Sequence, residues 1–284
     1  MINAYPLEFH IGKLPITGFG IVMMLTFLIG GWILDRELRR LKLNTEYAGD
    51  MIFAAVVGGI IGAKLWFVVL NGGPLLARSG LVWYGGFVGG TLGVILNGWR
   101  RRVPVRWTAQ LVAPVLAAGY ALGRVGCFLV GDDYGGPTSL PWGVAFPDGS
   151  PPTTAANLRF FHVQVPDSIA PGTIMAVHPT QLYEVFAMLV VFAILWRWRN
   201  KARGTGWLFG AYLVFAGIER FFIEILRAKD DRLLGAFTVA QVASITIVLV
   251  GTALVARWSS ASPIDPGTWL ATTKLGLDTP RAHP

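Results

Sequence analysis

Seven stretches of this chain are apolar over nearly the thickness of a lipid bilayer: residues 16–34, 51–70, 82–99, 108–130, 182–198, 207–226 and 237–256. A bilayer core is spanned by about 20 mostly apolar helical residues. Backbone that crosses it must satisfy its own hydrogen bonds, which helices do. The fold expected is therefore an all-α integral membrane protein with about seven transmembrane helices. Only 14% of the 284 residues are charged, against about 25% in soluble domains. The first, second, fifth and seventh segments are plain. The third and fourth are rich in glycine and alanine, and the sixth carries charges.

Charge placement sets the topology. Arg36, Arg39, Arg40 and Lys42 follow the first segment, Arg100, Arg101, Arg102 and Arg106 the third, and Arg197, Arg199, Lys201 and Arg203 the fifth. The second loop offers Arg78 and the fourth Arg159. In the sixth, Arg227, Lys229 and Arg232 face Asp230 and Asp231. Basic loops stay on the cytoplasmic side, so the N-terminus is expected outside and the C-terminus inside. The net charge of +8 is accounted for by topology and anionic lipid head groups, with no nucleic-acid partner. A single cysteine, Cys127, excludes an intrachain disulfide. The first segment lacks a basic start and runs directly into Asp35-Arg36-Glu37-Leu38-Arg39-Arg40, so a retained anchor is expected, not a cleaved signal. The insert at 131–177, rich in Pro, Gly and Thr, is expected to form a small outer cap. The chain divides into a membrane domain, 1–258, and a flexible cytoplasmic tail, 259–284. Without an internal repeat, a transporter built from inverted halves is disfavoured.

Polar groups inside the apolar segments carry the chemistry. Arg124 lies in Gly123-Arg124-Val125-Gly126-Cys127. A cation there costs about 2.5–3.5 kcal/mol unless it has a polar cavity or partner. It either snorkels to the interface or clamps a phosphate, for which guanidinium is suited. Asp132 and Asp133 stand at the exit of that segment, as caps or as functional carboxylates. In the sixth segment, Glu219, Arg220, Glu224 and Arg227 occur together; Arg220 and Glu224 are four apart and share a helix face. Arg220 and Glu224 form a structural ion pair, or Arg220 and Arg124 hold one anion between them. The third segment reads Trp83-Tyr84-Gly85-Gly86-Phe87-Val88-Gly89-Gly90-Thr91-Leu92-Gly93. Small residues four apart allow close helix packing or leave room for a lipid head group, with Tyr84 directed at it. His178-Pro179-Thr180-Gln181-Leu182-Tyr183-Glu184 opens the fifth segment, and Pro179 suits a helix start. Cys127 has no evident base, and apolar surroundings raise a thiol pKa, so a buried, unreactive residue is expected. No metal-ligand cluster is apparent, and no cofactor is expected.

These motifs, in this order over roughly residues 10–256, resemble the bacterial prolipoprotein diacylglyceryl transferase family. The similarity rests on Gly85-Gly86 and the following glycines, Gly123-Arg124-Val125-Gly126, Tyr134-Gly135, Leu140-Pro141-Trp142-Gly143, His178 to Glu184, and Arg220-Phe221 with Glu224 and Arg227. The resemblance implies a multi-pass enzyme of the bacterial cytoplasmic (inner) membrane. It implies transfer of a diacylglyceryl group from phosphatidylglycerol to the lipobox cysteine thiol of a lipoprotein precursor. Arg124 matches the family's phosphate-binding arginine, Arg220 a second essential arginine, Asp132 a position often held by glutamate, and Gly135 a required glycine. The resemblance and the motifs together give Arg124, Arg220, Asp132, Tyr84 and Glu224 as candidate catalytic residues. Arg124, Arg220, Gly85, Gly86, Gly135 and His178 are the candidate substrate-binding ones. The chain departs from the family at Tyr84, where histidine is usual, at Phe19, where tyrosine is usual, and at Cys127, where asparagine is frequent. The alternatives are a diverged paralogue acting on another lipid or acceptor, and a non-enzymatic lipid-binding or transport protein.

Overall fold

A computed structural model describes residues 2–12, 14–72, 82–201, 203–228, 232–234 and 237–266. Arg78, Lys229, Asp230, Asp231 and most of the expected cytoplasmic tail lie outside the described residues. The chain is mostly helical. Its long helices are α1 (Gly18–Arg40), α2 (Glu46–Asn71), α3 (Trp83–Arg100) and α4 (Val105–Val130). A short α5 (Ala155–Phe160) precedes α6 (Thr180–Trp198), α7 (Trp207–Ile223) and α8 (Val239–Ser259). Among the described residues, α1, α2, α4, α6 and α8 are long and apolar enough to cross a membrane. Of the other two expected segments, α3 is diluted by its glycines and α7 is 17 residues long.

The residues divide into two units: 1–27, 116–201 and 208–257 in the first, and 28–115, 202–207 and 258–284 in the second. In the second unit, Leu34, Leu38, Leu43, Tyr47, Met51, Trp107 and Leu111 form a buried core. Tyr47 places its hydroxyl 2.9 Å from that of Thr108, so the one polar atom of the ring is satisfied inside that core. Here too α2 meets α3 through glycine. A side chain on Gly89 would overlap the carbonyl of Gly58 and the backbone of Gly62; one on Gly85 would overlap the Gly62 carbonyl. Backbone-to-backbone approach of this kind is how small residues at four-residue spacing bind helices in lipid. Gly86 sits in ordinary contact with Ala63. Tyr84 and its neighbours Trp83 and Phe87 lie on the exposed side of α3.

The first unit holds three features not legible in hydropathy. Strands β2 (Glu8–Ile11) and β3 (Leu14–Thr17) pair antiparallel, so α1 begins at Gly18 and not at residue 16. Strand β1 (Ile2–Asn3) pairs in parallel with β4 (Val144–Ala145). Helix α7 stops at Ile223 and passes into a 3₁₀ turn, Glu224–Leu226. The segment between α4 and α6 is ordered around Tyr134, Val144, Phe146, Ala155, Leu158, Val165 and Val177. Arg159, the only arginine of that segment, donates to the carbonyls of Val165, Pro166 and Ile169. Its charge is therefore spent on closing the loop around α5. Helix α4 ends at Gly131, whose φ of +69° is the left-handed turn that glycine takes most cheaply at a helix end. The amides of Gly131 and Asp132 both return to the Cys127 carbonyl, at 3.0 and 3.1 Å. That turn sets Asp132 and Asp133 beside the last turns of α4.

Gly89→Val is expected to separate α2 from α3 and to cost about 1–3 kcal/mol or more, the penalty of overfilling a packed contact. Gly49→Ala, where nothing lies within 4 Å of the added carbon, is the matched control. Thermal unfolding of the two purified variants in detergent checks this: only Gly89→Val should melt earlier.

Candidate functional site

Arg124 sits near the C-terminal end of α4, inside an apolar sequence, and needs partners from other helices. Glu184, one turn into α6, is one of them: its Oε2 stands 2.5 Å from Arg124 Nε. Glu184 is 1% exposed, and the described surroundings supply its neutralisation twice. Its Oε1 is 3.7 Å from Arg220 Nη1 on α7 and accepts a bond of 3.3 Å from the Tyr120 hydroxyl. Arg220 in turn sets Nη2 2.7 Å from Glu224 Oε2, the i,i+4 pair expected from the sequence. Because the helix tightens into the 3₁₀ turn, Arg227 reaches the same glutamate oxygen from three residues on, with Nε at 3.7 Å. Arg227 Nη2 then bonds Asp133 Oδ1 at 2.6 Å, and Asp133 Oδ2 accepts from Arg124 Nη1 at 2.8 Å. The circuit closes. Asp133, Arg124, Glu184, Arg220, Glu224 and Arg227 form a ring of alternating charge, all within the first unit.

The ring is not uniform. The contacts to Glu184 Oε2 and Glu224 Oε2 are ion pairs of charge and proximity, without a straight hydrogen bond to either atom. Both contacts to Asp133 are true hydrogen bonds. Glu184 and Glu224 are each 1% exposed, whereas Asp133 is 41% exposed. Burial works against ionisation of Asp133, but Arg227 and then Arg124 outweigh it and hold the carboxyl at about 2. The Tyr120 ring lies 5.4 Å from the Arg124 guanidinium carbon, covering one face of the cation. Removing one member of a buried ion pair leaves its partner uncompensated, at about 3–5 kcal/mol.

Asp132 has a different environment. Gln181 donates to its carbonyl oxygen at 2.6 Å and Thr180 to that of Asp133 at 3.1 Å, so this backbone is tied to the start of α6. The Asp132 Oδ1 atom is buried without a hydrogen bond, and burial raises the pKa of its carboxyl. Potential ligand atoms of Cys127, Asp132 and Asp133 lie within 4.8 Å of one another, a grouping that sequence spacing did not reveal. The Arg124 guanidinium lies against two of these, 3.8 Å from Cys127 Sγ and 2.8 Å from Asp133, and its charge opposes a metal cation there.

Gly135 lies where three segments meet. Its amide bonds the His178 carbonyl at 2.9 Å, and a bridge pairs it with Arg227. A Cβ on it would stand 2.6 Å from the Leu226 carbonyl and 2.8 Å from both His178 and Thr180. His178 Nδ1 is 3.4 Å from the Tyr183 hydroxyl, which accepts from Trp142 Nε1 at 2.9 Å. The structure thus pairs Arg220 with Glu224 directly, links both to Arg124 through Glu184, and sets Asp132, Gly135 and His178 around them. Tyr84, Gly85 and Gly86 belong to the second unit. Glu184, Asp133 and Arg227 are the ring members that sequence reasoning left out of the site. Glu184 did carry a signal: within its own helix no arginine or lysine stands three or four residues away, so its counter-ion had to come from elsewhere.

The chain matches the family model described as prolipoprotein diacylglyceryl transferase over residues 6–257. It is 30% identical over 255 residues to a Clostridium tetani protein named phosphatidylglycerol–prolipoprotein diacylglyceryl transferase, covering 87% of this chain and 94% of that one. Proteins of the same name from Geobacter sulfurreducens and Vibrio cholerae are each 31% identical. These cover 87% and 90% of this chain, and 92% of either relative.

Glu184→Gln removes the charge shared by Arg124 and Arg220 while keeping the side-chain shape. It is expected to destabilise the protein by about 3–5 kcal/mol, read as an earlier melt in detergent, whereas Glu8→Gln, at an exposed strand position, should leave the melt unchanged.

Proposed function

The chain belongs to the prolipoprotein diacylglyceryl transferase family, and on that premise we propose that it moves a diacylglyceryl group from phosphatidylglycerol to the lipobox cysteine thiol of a lipoprotein precursor. The observation that carries this reading is the ring of three arginines and three carboxylates at the ends of apolar helices, buried except at Asp133. Cleaving a carbon–oxygen bond of the lipid glycerol requires that the departing glycerol phosphate be stabilised. Positive groups preorganised in a water-poor site do this best, and one such donor is worth about 10²–10³ in rate. Arg124 and Arg220, both anchored on Glu184, supply that field, and Glu224 holds Arg220 in place. The substrate thiol loses its proton, its sulfur bonds the glycerol carbon, and glycerol phosphate leaves with the electron pair of the broken bond. The attacking thiol belongs to the acceptor, so Cys127 on α4 has no step of its own in this reaction. The groups proposed to receive the proton are Asp132, His178 and Tyr84. Of these, Asp132 stands beside the ring with a buried oxygen and no hydrogen bond to it.

The same reading sets the protein in a bacterial inner membrane with seven spans, α3 and α7 completing the five helices of plain hydropathy. The basic residues after α1, α3 and α6 put the N-terminus outside and the C-terminus in the cytoplasm. Residues 131–177 then form an outer cap, and the tail from 259 is cytoplasmic. One feature favours a second reading. Where the family usually has tyrosine and histidine, this chain has Phe19, its ring against Gly126, and Tyr84, exposed on α3. That favours a paralogue with another lipid or acceptor. Complementation of a strain lacking the transferase separates the two, since a well-expressed paralogue fails.

Arg124→Ala and Arg220→Ala are each expected to lower transfer by at least about 10²-fold while the protein still inserts in the membrane. The measurement is mass spectrometry of a lipobox peptide incubated with phosphatidylglycerol and each purified variant. Near-normal diacylglyceryl addition by both variants overturns the mechanism.

A further inference from the structure

Resting on the reading above, we propose that Asp133 is a built-in stand-in for the substrate phosphate: its carboxylate occupies the seat between Arg124 and Arg227 and is displaced when an anionic phosphodiester binds. The ring's three guanidiniums and three carboxylates balance, and two further carboxyl groups, of Asp132 and Glu219, act on the same arginines, so no positive charge is to spare. Adding a phosphodiester would place one more anion among three cations already matched, in a water-poor site, where like charges repel strongly. One carboxylate has to give way. Glu184 and Glu224 are 1% exposed, and turning either out would leave two arginines loosened inside the bundle. Asp133 is 41% exposed and stands on a loop, so its side chain reaches water by rotation alone.

The geometry of the ring assigns the same role. Arg124 is anchored through Nε to Glu184 and offers Nη1 to Asp133. Arg227 is anchored through Nε near Glu224 and offers Nη2 to Asp133. Each arginine therefore keeps a buried glutamate at its root when Asp133 leaves, and each then presents a hydrogen-bond donor. Two oxygens of one carboxylate bridge those donors at 2.8 and 2.6 Å. Two phosphate oxygens fill such a seat in the same way, since both anions accept bidentate hydrogen bonds from guanidinium groups. Arg220 differs. Its two terminal nitrogens face Glu184 at 3.7 Å and Glu224 at 2.7 Å, so it lends charge from behind the Asp133 seat. The backbone of Asp133, at φ +55°, is pinned by Thr180, which confines the movement to the side chain. Asp133 is thus a specificity-determining residue: only a ligand able to bridge both arginines better than a tethered carboxylate gains the seat.

The test measures affinity without turnover, so its outcome is independent of whether transfer occurs. The full chain, purified in detergent, is titrated with phosphatidylglycerol and separately with inorganic phosphate, and bound ligand is read by native mass spectrometry. Asp133→Asn is expected to bind phosphatidylglycerol about tenfold more tightly than the unaltered protein, the gain from removing one competing anion at a charge-assisted site. Asp133→Glu restores the competing charge and should bind as the unaltered protein does. In the Arg227→Gln background the gain from Asp133→Asn should vanish, because one of the two donors is absent; this cycle isolates the pair from general effects on folding. A matching gain for inorganic phosphate assigns the seat to the phosphate group itself. A gain confined to the lipid assigns it to the lipid phosphodiester. Both support displacement. Unchanged or weaker binding of both ligands by Asp133→Asn overturns it, as does a gain that persists in the Arg227→Gln background. The transfer reading fails on a different result: absence of diacylglyceryl addition by the unaltered protein.

Discussion

Three arginines cannot be carried on apolar helices unless their charge is met inside the protein, and much of the first unit is arranged to meet it. Glu184 answers Arg124 and Arg220, Glu224 answers Arg220 and Arg227, and Asp133 closes the circuit. The residues come from α4, the turn after it, α6, α7 and the turn after that. Ion pairing thereby fastens parts of the chain that are far apart in sequence, in a medium where apolar contact between helices contributes little. Burying charge is costly even when it is paired, so such a ring is a weak device for stability alone. The role proposed for it is to hold guanidiniums at fixed positions, ready for an anion.

The details around the ring follow from that demand. Gly131 ends α4 in a left-handed turn, which brings Asp133 back toward Arg124. Gly135 has no side chain because the Leu226 carbonyl, His178 and Thr180 fill the space where one would stand, and its bridge to Arg227 fixes the far end of the circuit. Gln181 and Thr180 grip the two aspartate carbonyls from the first turn of α6, three or four residues before Glu184. Neutrality of the ring and exposure of a single carboxylate in it are the two features on which the proposed displacement of Asp133 by an anionic lipid rests.

Much of this was legible in the sequence, for local reasons. Segment positions follow from hydropathy, which neighbouring residues determine together, and the expected boundaries fall within a few residues of the helices. The Arg220–Glu224 pair follows from helical spacing. The N-terminal hairpin, the β1–β4 pairing and the early end of α7 did not show, because short strands leave little apolar periodicity and a 3₁₀ turn reads like a helix. Arg124 and Arg220 announced themselves as cations in apolar sequence. Glu184, which joins them, read as one polar group among several at a helix start, and its partners lie 60 and 36 residues away. Asp133 read as a cap as readily as a functional carboxylate, since nothing in its neighbourhood discloses Arg124 of α4 and Arg227 of the turn after α7 converging on it. The glycines of α3 had two readings, and the structure gives Gly85 and Gly89 a packing role against α2.

Whether the arginine ring seats a lipid phosphate is decided by an experimental structure of the protein with phosphatidylglycerol bound. The phosphate oxygens are expected within hydrogen-bond reach of Arg124 and Arg227, with the Asp133 carboxylate turned out and Glu184 still between Arg124 and Arg220. A phosphate bound elsewhere, with Asp133 still bridging the two arginines, would contradict it.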